Sequence, residues 1–154
     1  MTNYWIFKVN DDSNEKYSLK GIQIYNHRMD TDRAWGIKEY KENGSMASNV
    51  VSLENGDKVV FYLCGQKGHC FLGKAKLESG YPLIDIVVHE EFLDWKRGVK
   101  LIDIEKWNQP VPIKQLEGEL SFFVKGDKNW GSHLQGAITR ITKEDYDIIT
   151  AKAL

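Results

Sequence analysis

Cysteine is scarce in this sequence: Cys64 and Cys70 are the only two in 154 residues. A zinc site that includes His69 is the weakest interpretation of the pair, because tetrahedral zinc takes four ligands and no second Cys/His pair is present. A disulfide across a hairpin turn comes second. Two reduced thiols are favoured, because nothing indicates an oxidising compartment. We therefore expect no metal site and no cofactor.

Long apolar runs are also absent. No stretch approaches the ~20 apolar residues that a membrane-spanning helix needs. The first residues lack the basic region and apolar run of a signal peptide. The sequence therefore predicts a soluble, cytoplasmic protein with no membrane partner. A length of 154 residues predicts one domain, residues 1–154, that can bury a core without disulfides.

The sequence has no excess of charge and no recognisable catalytic motif. The formal net charge is −1 at pH 7, so the total does not indicate a nucleic-acid partner, although a total can hide a local patch. There is no glycine-rich phosphate loop or strong metal-ligand spacing, and no nucleophile in a recognised context. These absences predict a protein that is not an enzyme and has no catalytic residues.

Tryptophan, in contrast, is abundant, with five in the chain. A core rarely needs so many, because each buried indole N–H needs an acceptor. We therefore expect at least one tryptophan in a binding site. Trp5 alternates into an early strand and is expected in the core, whereas Trp107 is expected to cover a loop.

The clearest structural signal is a β-hairpin in the middle of the chain. Lys58–Leu63 is a β-branched and aromatic run that follows the turn signal Gly56-Asp57. Both of its faces are apolar, which predicts a strand buried on both sides. The return strand, residues 71–77, alternates instead, and its odd-numbered residues are expected to face inward. Among them, Gly73 would permit a close backbone approach or a bend.

The flanking segments predict more strands than helices. Strands are expected at Tyr4–Val9, at 99–104 and at 120–124. Residues 108–112 are expected to break the second of these strands. Residues 15–34 fit neither the helical nor the strand period. Short helices are expected at 87–95, from Pro112 at the first helical position through Leu116, and from Thr142 onward.

The last helix has the clearest start. Thr142 and Asp145 have the spacing of a capping box, and Ile141 and Tyr146 have that of a hydrophobic staple. Because strands outnumber short helices, the chain is expected to be an α+β protein, a small mixed β-barrel with peripheral helices.

Several segments, taken in order, resemble one known family. They are Tyr-Trp-Ile-Phe-Lys-Val-Asn-Asp at 4–11, Ala-Trp-Gly-Ile at 34–37, the hairpin at 56–63 and 71–79, and the C-terminal segments at 129–136 and 141–146. Their order and spacing resemble the EVE domain, a PUA-like barrel. The first three also resemble the related YTH domain. The resemblance implies a PUA-like mixed β-barrel with short peripheral helices.

The resemblance also implies a function. YTH domains hold N6-methyladenine in an aromatic cage, EVE domains are associated with modified cytosine in DNA, and both kinds of module occur at the front of modification-dependent restriction GTPases. The expected partner is thus DNA, or RNA, with a modified base flipped into an aromatic pocket. A GTPase or nuclease restriction partner, or a fused motor domain, is expected beside it. Two alternatives stay open: an RNA-binding reader on this fold and, from another class, a small-molecule enzyme on the same barrel.

The base pocket implied by the resemblance is expected to include Trp35, Gly36, Asn10, Asp11, His133 and Trp95. An indole face suits a flipped base, because stacking contributes about 1–3 kcal/mol per base. The Asn10 side chain can both donate to and accept from a base edge. Each residue also has a structural alternative. The alternative for Trp35 is a core or lid position. The alternative for Asn10 and Asp11 is a turn or a helix cap. For His133 it is a satisfied structural histidine, and for Trp95 it is packing of the short helix.

A phosphate-binding rim is expected around this pocket, formed by cations in predicted loops. The candidates are Arg33, Lys38, Lys41, Lys67, Lys125 and Lys128. The alternative for each is an ordinary solvated side chain.

Overall fold

The computed structural model describes residues 1–13, 18–37, 49–64, 68–86, 97–126, 131, 134 and 136–153. The first half contains β1 (Tyr4–Val9), β2 (Asp12–Ser13), β3 (Ser18–Leu19), α1 (Gly21–His27), a π-helical turn (Arg28–Asp32), β4 (Ala34–Gly36) and a 3₁₀ turn (Val50–Ser52). The second half contains β5 (Lys58–Leu63), β6 (Cys70–Leu77), β7 (Ile84–Asp85), β8 (Arg97–Pro112), a 3₁₀ helix (Ile113–Leu116), β9 (Ile138–Ile141) and α2 (Lys143–Lys152).

One mixed sheet organises the part of the chain that the structure describes. Its strands follow the order β4-β8-β6-β5-β1-β9. β7 also pairs with β8, on the side opposite β4, because Gly98 pairs with both Gly36 and Ile84. The β1–β5 pair is parallel, whereas the other pairs of this sheet are antiparallel. The sheet curls into a half-barrel with two short helices. The expected α+β class, and the expected strands at Tyr4–Val9 and Lys58–Leu63, are confirmed.

The sheet carries an apolar core on each face. The first core includes Trp5, Phe7, Tyr25, Trp35 and Phe61. The second core includes Ile6, Val60, Tyr62, Phe71 and Tyr146. Because consecutive β5 residues lie in alternate cores, β5 is buried on both faces, as the sequence predicts. Trp5 is confirmed as a core residue, and its indole N–H donates to the Asp57 carboxylate at 2.8 Å.

The expected alternation of the return strand is wrong at Phe71. Phe61 pairs with Gly73 and Tyr62 with Phe71, so Leu72 is an extra residue in β6. Such a β-bulge moves the following side chains to the opposite face. Phe71 therefore lies in the second core, while the later inward residues of the strand lie in the first.

The strand expected at 99–104 is confirmed, but the break expected at 108–112 is wrong, because β8 continues to Pro112. Lys106 pairs with Gly73 and Val111 with Phe71, so residues 107–110 lie opposite Leu72 alone. Proline has no N–H for a ladder and is tolerated at such an irregularity. Trp107 therefore lies within β8, partly buried against the second core, and not over a loop.

The strand expected at 120–124 is also wrong. Leu120 and Phe123 are both buried in the second core, and the Phe123 N–H donates to the Leu120 carbonyl at 3.1 Å. An apolar spacing of three residues suits a turn, which points both side chains to one side. The described strand nearest the C-terminus is β9, which pairs with β1.

The helices predicted through Leu116 and from Thr142 are present, but the first begins at Ile113, with Pro112 as its N-cap and not as its first residue. The 3₁₀ helix follows Pro112, and Thr142 caps α2 by accepting from the Asp145 N–H at 3.1 Å. The Asp145 carboxylate does not complete a capping box; it accepts from the Ser121 N–H at 2.8 Å. The helix expected at 87–95 lies outside the described residues.

Both cysteines are free thiols, as favoured from the sequence. Cys64 packs against the second core and Cys70 against the first. The alternative of a disulfide across the turn is therefore not realised, because the two side chains lie on opposite faces of the sheet.

Candidate functional site

Trp35 lies in β4, a three-residue strand at the edge of the sheet. It pairs with Val99 of β8, and the following Ile37 N–H donates to the Arg97 carbonyl at 2.9 Å. Trp35 is 8% exposed and belongs to the first core. The indole is thus a packed side chain held by an edge strand, and its role in a base pocket, like that of Gly36 beside it, stays a prediction.

A glycine in β8 determines how closely β4 approaches. Gly98 pairs with Gly36, and a β-carbon at Gly98 would collide with the carbonyl oxygen of Trp35. Any larger residue would therefore push β4 away. Gly98 is not among the residues predicted from the sequence, although a glycine inside an aliphatic strand is a signal of close backbone approach.

Phe61 is the ring on which the aromatic part of the first core converges. Its centroid lies 5.0 Å from that of Trp35, 5.4 Å from that of Tyr25 and 6.0 Å from that of Phe7. Tilted and edge-on pairs at these distances stabilise a core beyond simple area burial. Trp35 and Tyr25 therefore both pack on the Phe61 ring.

Tyr25 brings a polar atom into this apolar cluster. The residue is 2% exposed, and its hydroxyl has no hydrogen-bond partner among the residues that the structure describes. Burial, with a smaller contribution from the charge of Asp30, raises the pKa of Tyr25 above its ordinary value of 10.0. The hydroxyl is therefore protonated at neutral pH and available as a donor.

The turn that leads into β4 is held by buried charges. Within the π-helical turn, Arg28 Nη1 lies 3.2 Å from Asp32 Oδ2, with each side chain 3% exposed. His27 Nε2 lies 3.2 Å from the other oxygen of Asp32. Arg33 then adopts a left-handed conformation at φ 50°. Single π-helical turns are frequent at functional sites, and this one lies within residues 15–34, where the sequence shows no clear period.

Asn10 and Asp11 are both exposed and have structural partners. Asp11 Oδ1 accepts from the Gly21 N–H at 2.7 Å, at the start of α1. Asn10 Oδ1 accepts from the Cys64 thiol, and burial raises the pKa of that thiol, which keeps it a donor. The turn and cap contacts expected as alternatives are therefore present, and base-edge recognition by these residues stays a prediction.

The structure brings together only part of the predicted site. Arg33 is exposed directly before β4, two residues before Trp35 in the sequence. Lys125 is also exposed, but it lies two residues after Phe123, which belongs to the second core on the other face of the sheet. The remaining candidates lie outside the described residues: Lys38, Lys41, Lys67, Lys128, His133 and Trp95.

The residues that the structure describes contain neither a metal-ion cluster nor a membrane-crossing helix. No group of three or more His, Cys, Asp or Glu side chains among them is placed to hold a metal ion. No helix in this part of the chain has the length and apolar character needed to cross a membrane.

A mixed sheet that curls into a half-barrel with two short helices is a PUA-like α+β fold. The family model of the EVE domain matches residues 3–152, and the chain therefore belongs to the EVE domain family. No curated protein sequence matches the chain.

The solved structures that share this fold include the following three. Human THYN1, in complex with DNA that contains 5-methylcytosine, has a TM-score of 0.61 at 13% identity, covering 99% of this chain and 98% of that one. The N-terminal domain of Staphylothermus marinus McrB has a TM-score of 0.56 at 13% identity, covering 98% and 94%. A Leishmania major protein has a TM-score of 0.56 at 17% identity, covering 99% and 95%. At these identities the likeness shows the fold alone.

Proposed function

We propose that this chain is a non-enzymatic nucleic-acid-binding module that recognises a modified base, a methylated cytosine or adenine, in DNA. The base is flipped into an aromatic pocket of which Trp35 forms a wall. The observation that carries the proposal is the fold shared over 99% of the chain with THYN1, a protein seen in complex with 5-methylcytosine DNA. Membership of the EVE domain family supports the same conclusion.

The position of Trp35 gives the pocket a physical basis. Stacking on an aromatic ring contributes about 1–3 kcal/mol per base, which offsets much of the few kcal/mol that unstacking a base from the duplex costs. Because only 8% of Trp35 is exposed, the ring or the segment beside it must shift when a base stacks. β4 is a short edge strand, and such an element can move at a lower cost than a central strand.

We also propose which residues contact the DNA backbone around this pocket and which partners act beside it. Arg33, two residues before Trp35, contacts phosphate. The other predicted cations complete the rim, except Lys125, which lies by the second core. The module acts in the cytoplasm beside a GTPase or nuclease, as a partner chain or a fused domain. The fold shared with an N-terminal domain of McrB supports a place next to further domains.

A binding panel tests the proposal. Oligonucleotides of one sequence would carry cytosine, 5-methylcytosine, adenine or N6-methyladenine at one position, as DNA duplex, single-stranded DNA and RNA. We expect tighter binding of one modified DNA than of its unmodified match. We also expect affinity to fall steeply with salt, because phosphate contacts release counterions. Equal affinity for every base would contradict the proposal, and preference for modified RNA would assign the RNA-binding alternative.

A further inference from the structure

The Tyr25 hydroxyl is a buried polar group without a protein partner in the described residues. A buried hydroxyl that makes no hydrogen bond costs about 1–3 kcal/mol of stability, and native proteins leave few such groups unexplained. A phenylalanine would fill the same space without that cost. This cost makes the Tyr25 hydroxyl a candidate for a hydrogen bond to a bound ligand.

The surroundings of this hydroxyl connect it to the candidate pocket. The Tyr25 ring packs on Phe61, which also packs on Trp35, at centroid distances of 5.4 Å and 5.0 Å. The hydroxyl lies over Gly73, where a β-carbon would collide with it and with the carbonyl oxygen of Glu105. Glycine at this position gives the hydroxyl its place in the first core, on the same face of the sheet as Trp35.

We propose that the Tyr25 hydroxyl is a specificity-determining donor that makes its hydrogen bond to the base bound beside Trp35. This inference rests on the proposed function and adds a residue to it. The matching group on the ligand is an acceptor on the base edge, a carbonyl oxygen or an unprotonated ring nitrogen. The hydroxyl has no partner among the described residues, and an acceptor on the bound base would remove the cost of leaving it unpaired. The contact therefore favours ligands that place an acceptor there.

Tyr25→Phe tests this inference, with Tyr62→Phe as the matched control. Tyr62 is equally buried, at 2%, but its hydroxyl lies 3.0 Å from His69 Nδ1. In the free protein, we expect Tyr25→Phe to leave the melting temperature unchanged or higher. Tyr62→Phe should lower it by about 2–4 °C, the size expected for loss of one hydrogen bond in a chain of this length.

Binding should show the opposite pattern. Tyr25→Phe should weaken binding of the modified oligonucleotide preferred in the panel by about 3- to 10-fold, whereas Tyr62→Phe should leave it unchanged. Unchanged affinity in Tyr25→Phe would overturn the inference while leaving base recognition intact. A melting temperature of Tyr25→Phe that falls as far as that of Tyr62→Phe would also overturn it, because the hydroxyl would then have a partner in the free protein. A wild-type chain that binds every oligonucleotide alike would instead overturn the proposed function, and this inference with it.

Discussion

The ring of Trp35 packs on the ring of Phe61 with their centroids 5.0 Å apart and their planes tilted by 52°. This contact joins the short edge strand β4 to the central strand β5, which is buried on both faces. Support of this kind reduces the freedom that a side chain loses on binding. In the proposed site, Phe61 would keep the Trp35 indole in place while the segment beside it shifts to admit a base.

The close approach of β4 to β8 is expected to control this position. Gly98→Ala should displace β4, because the new methyl group would collide with the Trp35 carbonyl oxygen. We expect weaker binding of the modified oligonucleotide and a loss of at least about 1 kcal/mol in the free energy of unfolding. Gly131→Ala is the control, since its β-carbon would meet nothing within 4 Å. Denaturant unfolding with a binding titration measures both effects, and equal behaviour of the two variants would contradict the role given to Gly98.

The Asp57 carboxylate is expected to be important for stability. It is 1% exposed and accepts from the Trp5 indole, the Asn3 N–H and the Glu54 N–H at 2.8, 2.9 and 3.0 Å. Asp57→Ala leaves these donors without an acceptor and should lower the free energy of unfolding by about 2–4 kcal/mol. Asp85→Ala removes a carboxylate whose side chain is 95% exposed and should change it by less than about 0.5 kcal/mol. Similar losses in both variants, measured by urea unfolding, would refute this assignment.

Alkaline pH is expected to unfold the protein partly through Tyr146. Burial, followed by the charges of Asp147 and Tyr4, raises the pKa of Tyr146 from 10.0 to about 12. A group with a raised folded-state pKa contributes stability that is fully present below pH 10.0 and is lost as pH rises toward 12. Tyr146→Phe should therefore lose less stability than the wild type between these pH values, as measured by thermal melts at stepped pH. An identical pH dependence in both proteins would show that the hydroxyl of Tyr146 is not responsible.

Much of the fold is predictable from the sequence because alternation and caps are local signals. The apolar run at β5 predicts that both of its faces are buried, and Thr142 with Ile141 predicts the start of α2. The errors arise where the local pattern depends on a distant partner. The bulge at Leu72 is invisible in β6 alone, because it exists only relative to β5 and β8. Leu120 and Phe123 have strand-forming composition, but the second core places them on a turn.

The candidate site is less predictable for the same reason. Trp35 can be selected from its polar and glycine-rich surroundings and from the family resemblance. Its packing on Phe61 is a contact between residues far apart in sequence. The contact between the Tyr25 hydroxyl and Gly73 is another. Gly98 is visible in the sequence only as a glycine inside an apolar strand. The reason for it, the close carbonyl oxygen of Trp35 on the paired strand, is visible only in the structure.

The most direct test of the account is base discrimination by Trp35→Leu. Leucine keeps apolar bulk in the first core but removes the aromatic face, and Phe7→Leu is the control because Phe7 packs on the same Phe61 ring. The quantity to measure is the ratio of affinities for the modified and unmodified oligonucleotide, with a thermal melt of each variant. We predict that Trp35→Leu lowers this ratio by about fivefold to a hundredfold, the equivalent of 1–3 kcal/mol of stacking, and that Phe7→Leu lowers only the melting temperature. An unchanged ratio in Trp35→Leu, with a melting temperature lowered as in Phe7→Leu, would assign Trp35 to the core alone and contradict the account.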